Sequence, residues 1–255
     1  MSLPRVYVDL ALASGNEVEL PEAAANHVVR VLRLRTGEAL TLFNGRGGEY
    51  AATLADAGAA RGARARVRVG SHAAVERESP LRLTLLQGIA RGERMDHIVQ
   101  KATELGVTRI VPLASERSVV RLDASTAARR LEHWRAIAIA ACEQCGRNRP
   151  PVIDAVAGLE RIADSVPALV LDAAEAGARL LLEPSAATAL TAVVPGLTAA
   201  TLLVGPEGGL SERVRALARR AGFTPCRLGP RILRTETAPL VALTALQLLA
   251  GDLDA

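Results

Sequence analysis

From about residue 81 onward, short apolar strands alternate with amphipathic helices, and this alternation constrains the fold more than any other feature of the sequence. Leu81–Gln87, Arg109–Leu113, Ala168–Leu171 and Thr201–Val204 are predicted strands, because each is a mostly apolar run of strand length. Between the first two, Glu93–Leu105 has apolar side chains at helical spacing, and Gly106 ends the helix. Strands that alternate with helices predict an α/β domain, with a mostly parallel sheet between layers of helices.

The first 70 residues have a different pattern, because short β-rich segments predominate there. Arg5–Val8, Ala39–Phe43 and Ala65–Val69 are predicted strands, and the last alternates polar and apolar residues with period two. A short helix is predicted from about Pro21 to Leu32. Several short strands around a small core predict a β-barrel.

The polar segment Ser71–Pro80 separates the two patterns. We therefore expect two domains, residues 1–72 and residues 73–255. No run reaches the ~18 apolar residues of a membrane-spanning helix. Met1–Arg5 also lacks the layout of a signal peptide, so a cytoplasmic protein without a membrane partner is expected.

The three cysteines argue against a disulfide framework, because their number is small and odd. Cys142 and Cys145 match a redox C-x-x-C motif, but they end a helix predicted from about Ser125. No second pair of cysteine or histidine ligands lies near them in the sequence. Core packing is therefore the favoured interpretation, and we expect no metal site.

The excess of positive charge lies in residues 1–150, which contain 22 basic and 16 acidic side chains. This mild excess favours a polyanionic partner for that part of the chain. Aromatic residues are 2% of the sequence. If the polyanionic partner is a nucleic acid, we therefore expect arginine side chains and shape to provide the contacts, rather than aromatic rings stacked on bases.

Two strand-to-helix turns near the C-terminus predict a ligand site. The strand Thr201–Val204 leads directly into Gly205–Gly209, and Ser211 is a plausible N-cap for the helix that follows. A glycine-rich turn at this place leaves backbone donors open to a ligand. An ordinary tight turn is the alternative, because the segment is neither a Walker A loop nor a G-x-G-x-x-G fingerprint.

The same arrangement is repeated about 20 residues later, where Pro225–Leu228 leads into Gly229–Arg234. Thr235–Thr237 then opens the apolar helix Ala238–Ala250, which we expect to be buried against the sheet or a partner subunit. Ligands in open α/β sheets bind at the carboxyl ends of strands. The two loops are therefore predicted to form one pocket.

The sequence resembles the SPOUT-class methyltransferases of the E type, which methylate N3 of a uridine in bacterial small-subunit (16S) ribosomal RNA. The most specific resemblance lies in Leu203–Ser211 and Leu228–Ala238. Further similar segments, in chain order, are Ala25–His27 with Arg30–Arg33, Gln100–Val107, Ser115–Arg117 and Ala140–Asn148.

The resemblance implies a PUA-like barrel followed by an α/β domain with a trefoil-knotted C-terminal end. It implies a homodimer that acts on small-subunit ribosomal RNA, in the 30S subunit, with S-adenosylmethionine held in the knot loops and in the loop after Leu171. The implied cofactor-binding residues are Leu171, Leu203, Gly205, Pro206, Glu207, Gly208, Gly209, Leu228, Gly229, Ile232, Leu233, Thr237 and Ala238.

Methylation of uridine N3 requires removal of its proton, or stabilisation of the negative charge that develops on the ring. Arg234 and Glu236 are the candidate catalytic residues, because both lie where the second loop becomes a helix. In this hypothesis Arg234 stabilises a uracil anion or a phosphate, and Glu236 positions or deprotonates the base. Glu207 is a second candidate base, and helix capping is the alternative role of Glu236.

Basic residues outside the two loops are the candidates for RNA contact, with solvated surface as the alternative for each. They are Arg5, Arg30, Arg33, Arg35, Lys101, Arg117 and Arg147.

Three other functions remain as competing hypotheses: a ribose 2′-O or guanine methyltransferase, an RNA-binding assembly factor without catalysis, and a dinucleotide oxidoreductase. The predicted barrel and the segment Glu143–Asn148 favour uridine methylation over the first. The two intact loops argue against the second, and the missing dinucleotide fingerprint argues against the third.

Overall fold

The computed structural model describes residues 3–58, 64–114, 123–159, 177–194 and 196–254. Contacts within the chain divide it into two compact units. The first contains the residues up to Glu78 together with Ile139–Pro150, and the second contains Ser79–Ala138 together with the residues from Pro151 onward. The inclusion of Ile139–Pro150 in the first unit was not predicted from the sequence.

The first unit contains a five-stranded sheet in the order β1-β3-β4-β5-β2. Its pairs are antiparallel except for β1 with β3. Val67 and Val69 are buried while Arg66 and Arg68 are exposed, which confirms the predicted period-two alternation. The strands are β1 Arg5–Tyr7, β2 Glu17–Glu19, β3 Ala39–Phe43, β4 Glu49–Asp56 and β5 Arg66–Ala73.

A short helix lies between β2 and β3, as the sequence predicts. Helix α1, Glu22–Asn26, continues as a π-helical turn over His27–Val31. Arg33 follows with a φ of 56°, the left-handed region that non-glycine residues rarely adopt. The turn buries Val28 in the core of the unit and leaves Val31 exposed.

The second unit is built on a sheet in the order β12-β10-β11-β6-β7-β8, with β9 also pairing with β7. All of these pairs are parallel. The predicted mostly parallel sheet is therefore confirmed. Its strands are β6 Arg82–Gly88, β7 Arg109–Ala114, β8 Val152–Ile153, β9 Ala157–Gly158, β10 Ala178–Leu182, β11 Ala199–Val204 and β12 Thr224–Cys226.

Helices cover both faces of this sheet. On one face Leu85 and Leu202 belong to the same buried cluster as Ile98 and Leu243, and on the other Leu203 packs in a cluster with Val214. Burial on both faces explains why β11 is apolar except for Thr201 and why all six of its residues are buried. The helices that follow β6 in the chain are α2 Glu93–Glu104, α3 Ala124–Cys145, α4 Glu212–Arg220 and α5 Ala238–Ala250.

Strand β10 was not predicted, and the predicted strand Ala168–Leu171 lies outside the described residues. Helix α3 has its first 15 residues in the second unit and ends in the first. No helix within the described ranges is long and apolar enough to cross a membrane.

Candidate functional site

Three neighbouring strands end at the same edge of the parallel sheet. Strand β10 lies between β12 and β11, and β10 ends at Leu182, β11 at Val204 and β12 at Cys226. Because the three strands are parallel, the loops that follow them leave the sheet side by side. This edge is where an open α/β sheet binds ligands.

The three loops surround a cavity of about 440 Å³. A cavity of this size is within the range of small-molecule and cofactor sites. Both predicted glycine loops contribute to its lining, as do Arg94 and the residues around the end of β10. The predicted residues that line it are Gly205, Pro206, Glu207, Gly209, Leu228, Gly229, Ile232, Leu233, Arg234, Glu236 and Ala238.

The first glycine loop needs glycine for reasons of space and backbone geometry. Gly209 has a φ of 67°, and its N–H donates to the carbonyl of Pro206 at 2.8 Å. A Cβ on Gly205 would lie 3.0 Å from Cγ of Leu210. Ser211 is the N-cap of α4, because its hydroxyl accepts the Val214 N–H at 3.3 Å.

The second loop is hydrogen-bonded to the first. The hydroxyl of Thr235 is 2.9 Å from the carbonyl oxygen of Gly205, to which it donates. Gly229 has a φ of 82°, which permits the turn after β12. Ile232 is 83% exposed, so this part of the loop presents an apolar side chain to solvent. The two loops that were predicted to form one pocket are therefore joined directly by a hydrogen bond.

The third wall of the cavity follows β10 and comprises Leu181–Pro184. Glu183 is buried there, with its carboxylate 3.1 Å from Nη2 of Arg219 and 3.7 Å from Nη1 of Arg215. This wall was not predicted from the sequence. The signal was the segment Ala178–Leu182, which is apolar except for Arg179, has the length of a buried strand and is followed by Glu-Pro.

Glu207 is held firmly in the first loop. Its Oε1 accepts the backbone N–H of Arg91 at 2.9 Å and the guanidinium of Arg94 at 3.0 Å. Partial burial raises the pKa of this carboxyl, but the hydrogen bonds from Arg91 and Arg94 outweigh it and hold the pKa below its usual value. Glu207 is therefore held in the first loop through Oε1, and its lowered pKa favours the ionised form.

Glu236 has an oxygen that is left without a partner. Its Oε1 is 3.8 Å from Nε of Arg94 and 4.0 Å from Nη1 of Arg234. Its Oε2 is buried and has no hydrogen-bond partner in the described part of the chain. Helix α5 begins after Thr237, whose side chain makes no capping hydrogen bond. The arrangement leaves Oε2 able to accept a hydrogen bond from a ligand.

Three predicted cofactor residues do not line the described cavity. Leu203 is fully buried in the sheet, and its side chain packs in the core cluster with Val214. Gly208 and Thr237 are also absent from the lining of this cavity. Leu171 and the RNA candidate Arg117 lie outside the described residues.

Arg147 was predicted to contact RNA, and its placement contradicts this prediction. Its side chain is 4% exposed, and Nη2 lies 2.6 Å and Nε 3.0 Å from the same oxygen of Glu78. A buried guanidinium that already pairs with a carboxylate does not reach a phosphate on the surface. The sequence could not separate it from an exposed arginine such as Arg149, which lies two residues later.

Arg5 was predicted to contact RNA as well, and its guanidinium is also engaged within the first unit. It pairs with Glu49 and donates through Nη2 to Oδ1 of Asn148 at 2.6 Å and to the carbonyl of Gly146 at 3.1 Å. These contacts hold the end of α3 against β1. They account for the assignment of Ile139–Pro150 to the first unit, and they correct the prediction of an RNA contact.

The other basic candidates lie on the surface. Arg30, Arg33 and Arg35 are exposed, and no acidic side chain among the described residues forms an ion pair with them. They remain candidates for phosphate contact. Lys101 is bonded to Glu104 in its own helix, at 2.8 Å from Oε1 and 3.0 Å from Oε2.

All three cysteines are free thiols, and two of them are buried. Cys142 is buried, and burial raises the pKa of its thiol to about 12. Cys226 is buried at the end of β12, and burial raises its pKa to about 11. No group of three or more possible metal ligands occurs among the residues that the structure describes.

Comparisons with known families define the class of protein that this fold and site form. A model described as an RNA methyltransferase domain matches residues 77–247, and one described as an RNA methyltransferase PUA domain matches residues 20–61. The class is thus an RNA methyltransferase with two parts. Among curated relatives, a protein of Buchnera aphidicola is 31% identical over 98% of both chains, and one of Mycobacterium bovis is 33% identical over 98% of this chain and 93% of its own. Both are named ribosomal RNA small subunit methyltransferase E, and this chain belongs to that family.

Solved structures agree with this assignment. The enzyme of the same name from Neisseria gonorrhoeae, bound to S-adenosylmethionine, is 40% identical with a TM-score of 0.89, covering 98% of this chain and 99% of its own. A methyltransferase from Legionella pneumophila in complex with the same cofactor is 39% identical, also with a TM-score of 0.89, covering 99% and 100%. The predicted SPOUT-class α/β fold with a PUA-like N-terminal part is confirmed.

Proposed function

We propose that this protein transfers a methyl group from S-adenosylmethionine to N3 of a specific uridine in small-subunit ribosomal RNA. The observation that carries the proposal is the cavity at the three strand ends, where a carboxylate oxygen of Glu236 without a partner among the described residues lies beside two glycine loops. The names of the relatives support ribosomal RNA as the substrate, and the bound cofactor in two similar structures supports S-adenosylmethionine.

The residues around the cavity suit this cofactor. The glycine loop Gly205–Gly209 and the loop Leu228–Leu233 offer backbone groups to the adenine and the ribose, and Val204 and Leu228 offer apolar surface. The cavity of about 440 Å³ is large enough for a nucleoside with an amino-acid tail. When bound, S-adenosylmethionine supplies an electrophilic methyl group on a positively charged sulfur.

Glu236 is the proposed general base. It accepts the N3 proton of the uracil through Oε2, and the nitrogen electron pair then bonds to the methyl carbon while the carbon–sulfur bond breaks and its electrons stay on sulfur. Glu207 is less suited to this role, because two donors already engage its Oε1 and its pKa is lowered. Of the two, only Glu236 has a buried oxygen without a hydrogen-bond partner in the described part of the chain.

Arg234 is the proposed electrostatic partner of the uracil. Its side chain is 81% exposed, and its Nη1 lies 4.0 Å from Oε1 of Glu236. Arg234 is the last residue of the second loop before the segment that leads into α5. A guanidinium at this place stabilises the negative charge that the ring acquires as its proton leaves. The uridine has to be unpaired or flipped out, because N3 lies in the pairing edge of the base.

The first unit is the proposed RNA-gripping part. Arg30, Arg33 and Arg35 are exposed around a π-helical turn, and phosphate contacts from arginine fix an RNA-binding protein on its substrate. We propose residues 1–72 as the PUA-like RNA-binding domain and residues 73–255 as the methyltransferase domain. The substrate state is the 30S subunit, and the location is the cytoplasm, where ribosomes are assembled.

A homodimer and a trefoil knot complete the proposal. Helix α5 and the residues after it expose the apolar side chains Val241, Leu248, Leu249 and Leu253. An apolar surface of this kind is suited to a second copy of the chain. The hydrogen bond between Thr235 and Gly205 supports a compact arrangement of the two C-terminal loops, which the knot requires.

A methyl-transfer assay tests the proposed function. Small subunits from cells that lack the modification are incubated with the protein and labelled S-adenosylmethionine, and the RNA is digested to nucleosides. We expect label in 3-methyluridine. Label in a 2′-O-methylated or guanine nucleoside would transfer the protein to another methyltransferase branch, and cofactor binding without transfer to free RNA or subunits would favour an assembly factor.

A further inference from the structure

Arg94 lies at the cavity although it belongs to neither glycine loop. It is in the first turn of α2, directly after the turn that follows β6. That turn includes Gly92, whose φ of 57° lets the chain reverse into the helix. The position of Arg94 is therefore set by the central strand of the sheet and by a helix N-terminus, both of which are rigid elements.

Arg94 contacts two of the three carboxylates that line the cavity, those of Glu207 and Glu236. Its Nη1 donates to Glu207 at 3.0 Å, and its Nε lies 3.8 Å from Oε1 of Glu236. Glu207 in turn receives the backbone N–H of Arg91, so the anchor of the guanidinium is itself fixed. One planar cation thus joins the glycine loop after β11 to the loop that carries Glu236.

We propose that Arg94 is a positioning residue that holds Glu236 with one oxygen directed to a cation and the other free for the substrate. The inference depends on the proposed function, because it assigns a task to the residue that we propose as the base. Arg94 attracts Oε1 of Glu236, and this leaves Oε2 buried and without a partner in the described part of the chain. Glu207 acts as the anchor that keeps the guanidinium in place.

A direct contact between Arg94 and RNA phosphate is the main alternative, because its side chain is 46% exposed. The two hypotheses differ in kinetics. Loss of a phosphate contact weakens RNA binding and raises the KM for RNA. Loss of a positioning contact lowers kcat, because only the reacting arrangement of Glu236 is affected.

A double-mutant cycle tests the proposal under saturating RNA and S-adenosylmethionine. We expect R94M to lower kcat at least about tenfold while the affinity for S-adenosylmethionine changes by less than about threefold. In the E236Q background the same substitution should cost less than about twofold, because the group that it positions is already inactive. R94K should recover part of the rate, since it keeps the charge but lacks the planar fork.

R213M is the matched control, because Arg213 is an exposed arginine on α4 and its loss changes the net charge equally. An equal fold-loss from R94M in both backgrounds would overturn the positioning role, as would a pure increase in the KM for RNA or an unchanged rate. Thermal unfolding of R94M and R94K excludes a folding defect. A wild-type protein that makes no 3-methyluridine would instead overturn the proposed function, and the positioning role with it.

Discussion

Each unit contains a cluster of arginine and carboxylate groups. The two clusters differ in whether the carboxylate oxygens and guanidinium groups already have hydrogen-bond partners within the chain. In the first unit Arg147 is buried and makes two contacts to Glu78, while Arg5 bonds to Glu49 and Asn148. In the second unit, Glu236 keeps a buried oxygen without a partner among the described residues.

The difference separates groups that hold the fold from groups that perform chemistry. A buried, mutually paired arginine and carboxylate fix the chain, and removal of one partner leaves a costly unpaired charge. A carboxylate at a cavity with an unused oxygen retains its capacity for a ligand. Stability should therefore depend on the first cluster and turnover on the second, and four substitutions test this comparison.

The largest expected effect is on turnover, from E236Q. The amide has the shape of the carboxylate but cannot accept a proton as a base, so we expect kcat for methyl transfer to fall about 100-fold or more. The free energy of unfolding should change by less than about 1 kcal/mol, because Oε2 makes no hydrogen bond with the described residues that the substitution would remove. Single-turnover kinetics and urea unfolding measure the two quantities on the same preparation.

If E236Q keeps the wild-type rate, turnover does not depend on Glu236, and the proposed difference between the two clusters fails. E207Q then becomes the decisive variant, because Glu207 also lines the cavity and is the second candidate base.

R147M should have the largest effect on stability. It removes one partner of a buried pair, so the free energy of unfolding should fall by about 3 kcal/mol in urea titration. R149M is the matched control, because Arg149 is half-exposed and pairs with Glu76 at 3.2 Å, and its loss should cost less than about 1 kcal/mol. An R147M protein of normal stability with weakened RNA binding would restore the original prediction of an RNA contact.

G88A tests the packing beneath the glycine loop. A methyl group on Gly88 would overlap the backbone nitrogen of Pro206 and lie 2.9 Å from the carbonyl carbon of Gly205, which cannot move without shifting the loop. We expect a loss of about 2 kcal/mol of unfolding free energy. At Gly208 an added Cβ meets nothing within 4 Å, so equal destabilisation by G208A would contradict this account.

The smallest effect is expected from R33G in the first unit. Glycine relieves the left-handed conformation of Arg33, so stability should rise by about 0.5 kcal/mol. Loss of one phosphate contact should weaken RNA binding and make its dependence on salt shallower by about 0.8 in the log–log slope. R30M should share the effect on RNA without the gain in stability. Unchanged RNA affinity in both variants would remove this surface from the proposal.

Sequence reasoning was most successful where the signal is local. The two glycine loops are contiguous segments that follow apolar strands, and the structure places both at one cavity. The parallel sheet followed from the alternation of strands and helices, since that alternation is a property of neighbouring residues.

The features that were missed depend on contacts between distant segments. The wall Leu181–Pro184 reaches the cavity only because β10 pairs with both β11 and β12, and no pattern within the strand states this order. Arg94 lies more than 100 residues before the carboxylates that it contacts. The burial of Arg147 likewise depends on its contact with Glu78, which is distant in sequence. From the sequence alone, Arg147 could not be distinguished from an arginine on the surface.

Amide hydrogen exchange with and without S-adenosylmethionine tests most directly whether the cavity at the three strand ends is the cofactor site. We expect bound S-adenosylmethionine to slow amide exchange at Glu183 and in residues 205–210 and 228–236, apart from Pro206 and Pro230, which have no amide hydrogen. Exchange around Arg5 and Arg147 should not change. Tight binding of S-adenosylmethionine without protection of these loops, or with protection confined to the first unit, would contradict this expectation.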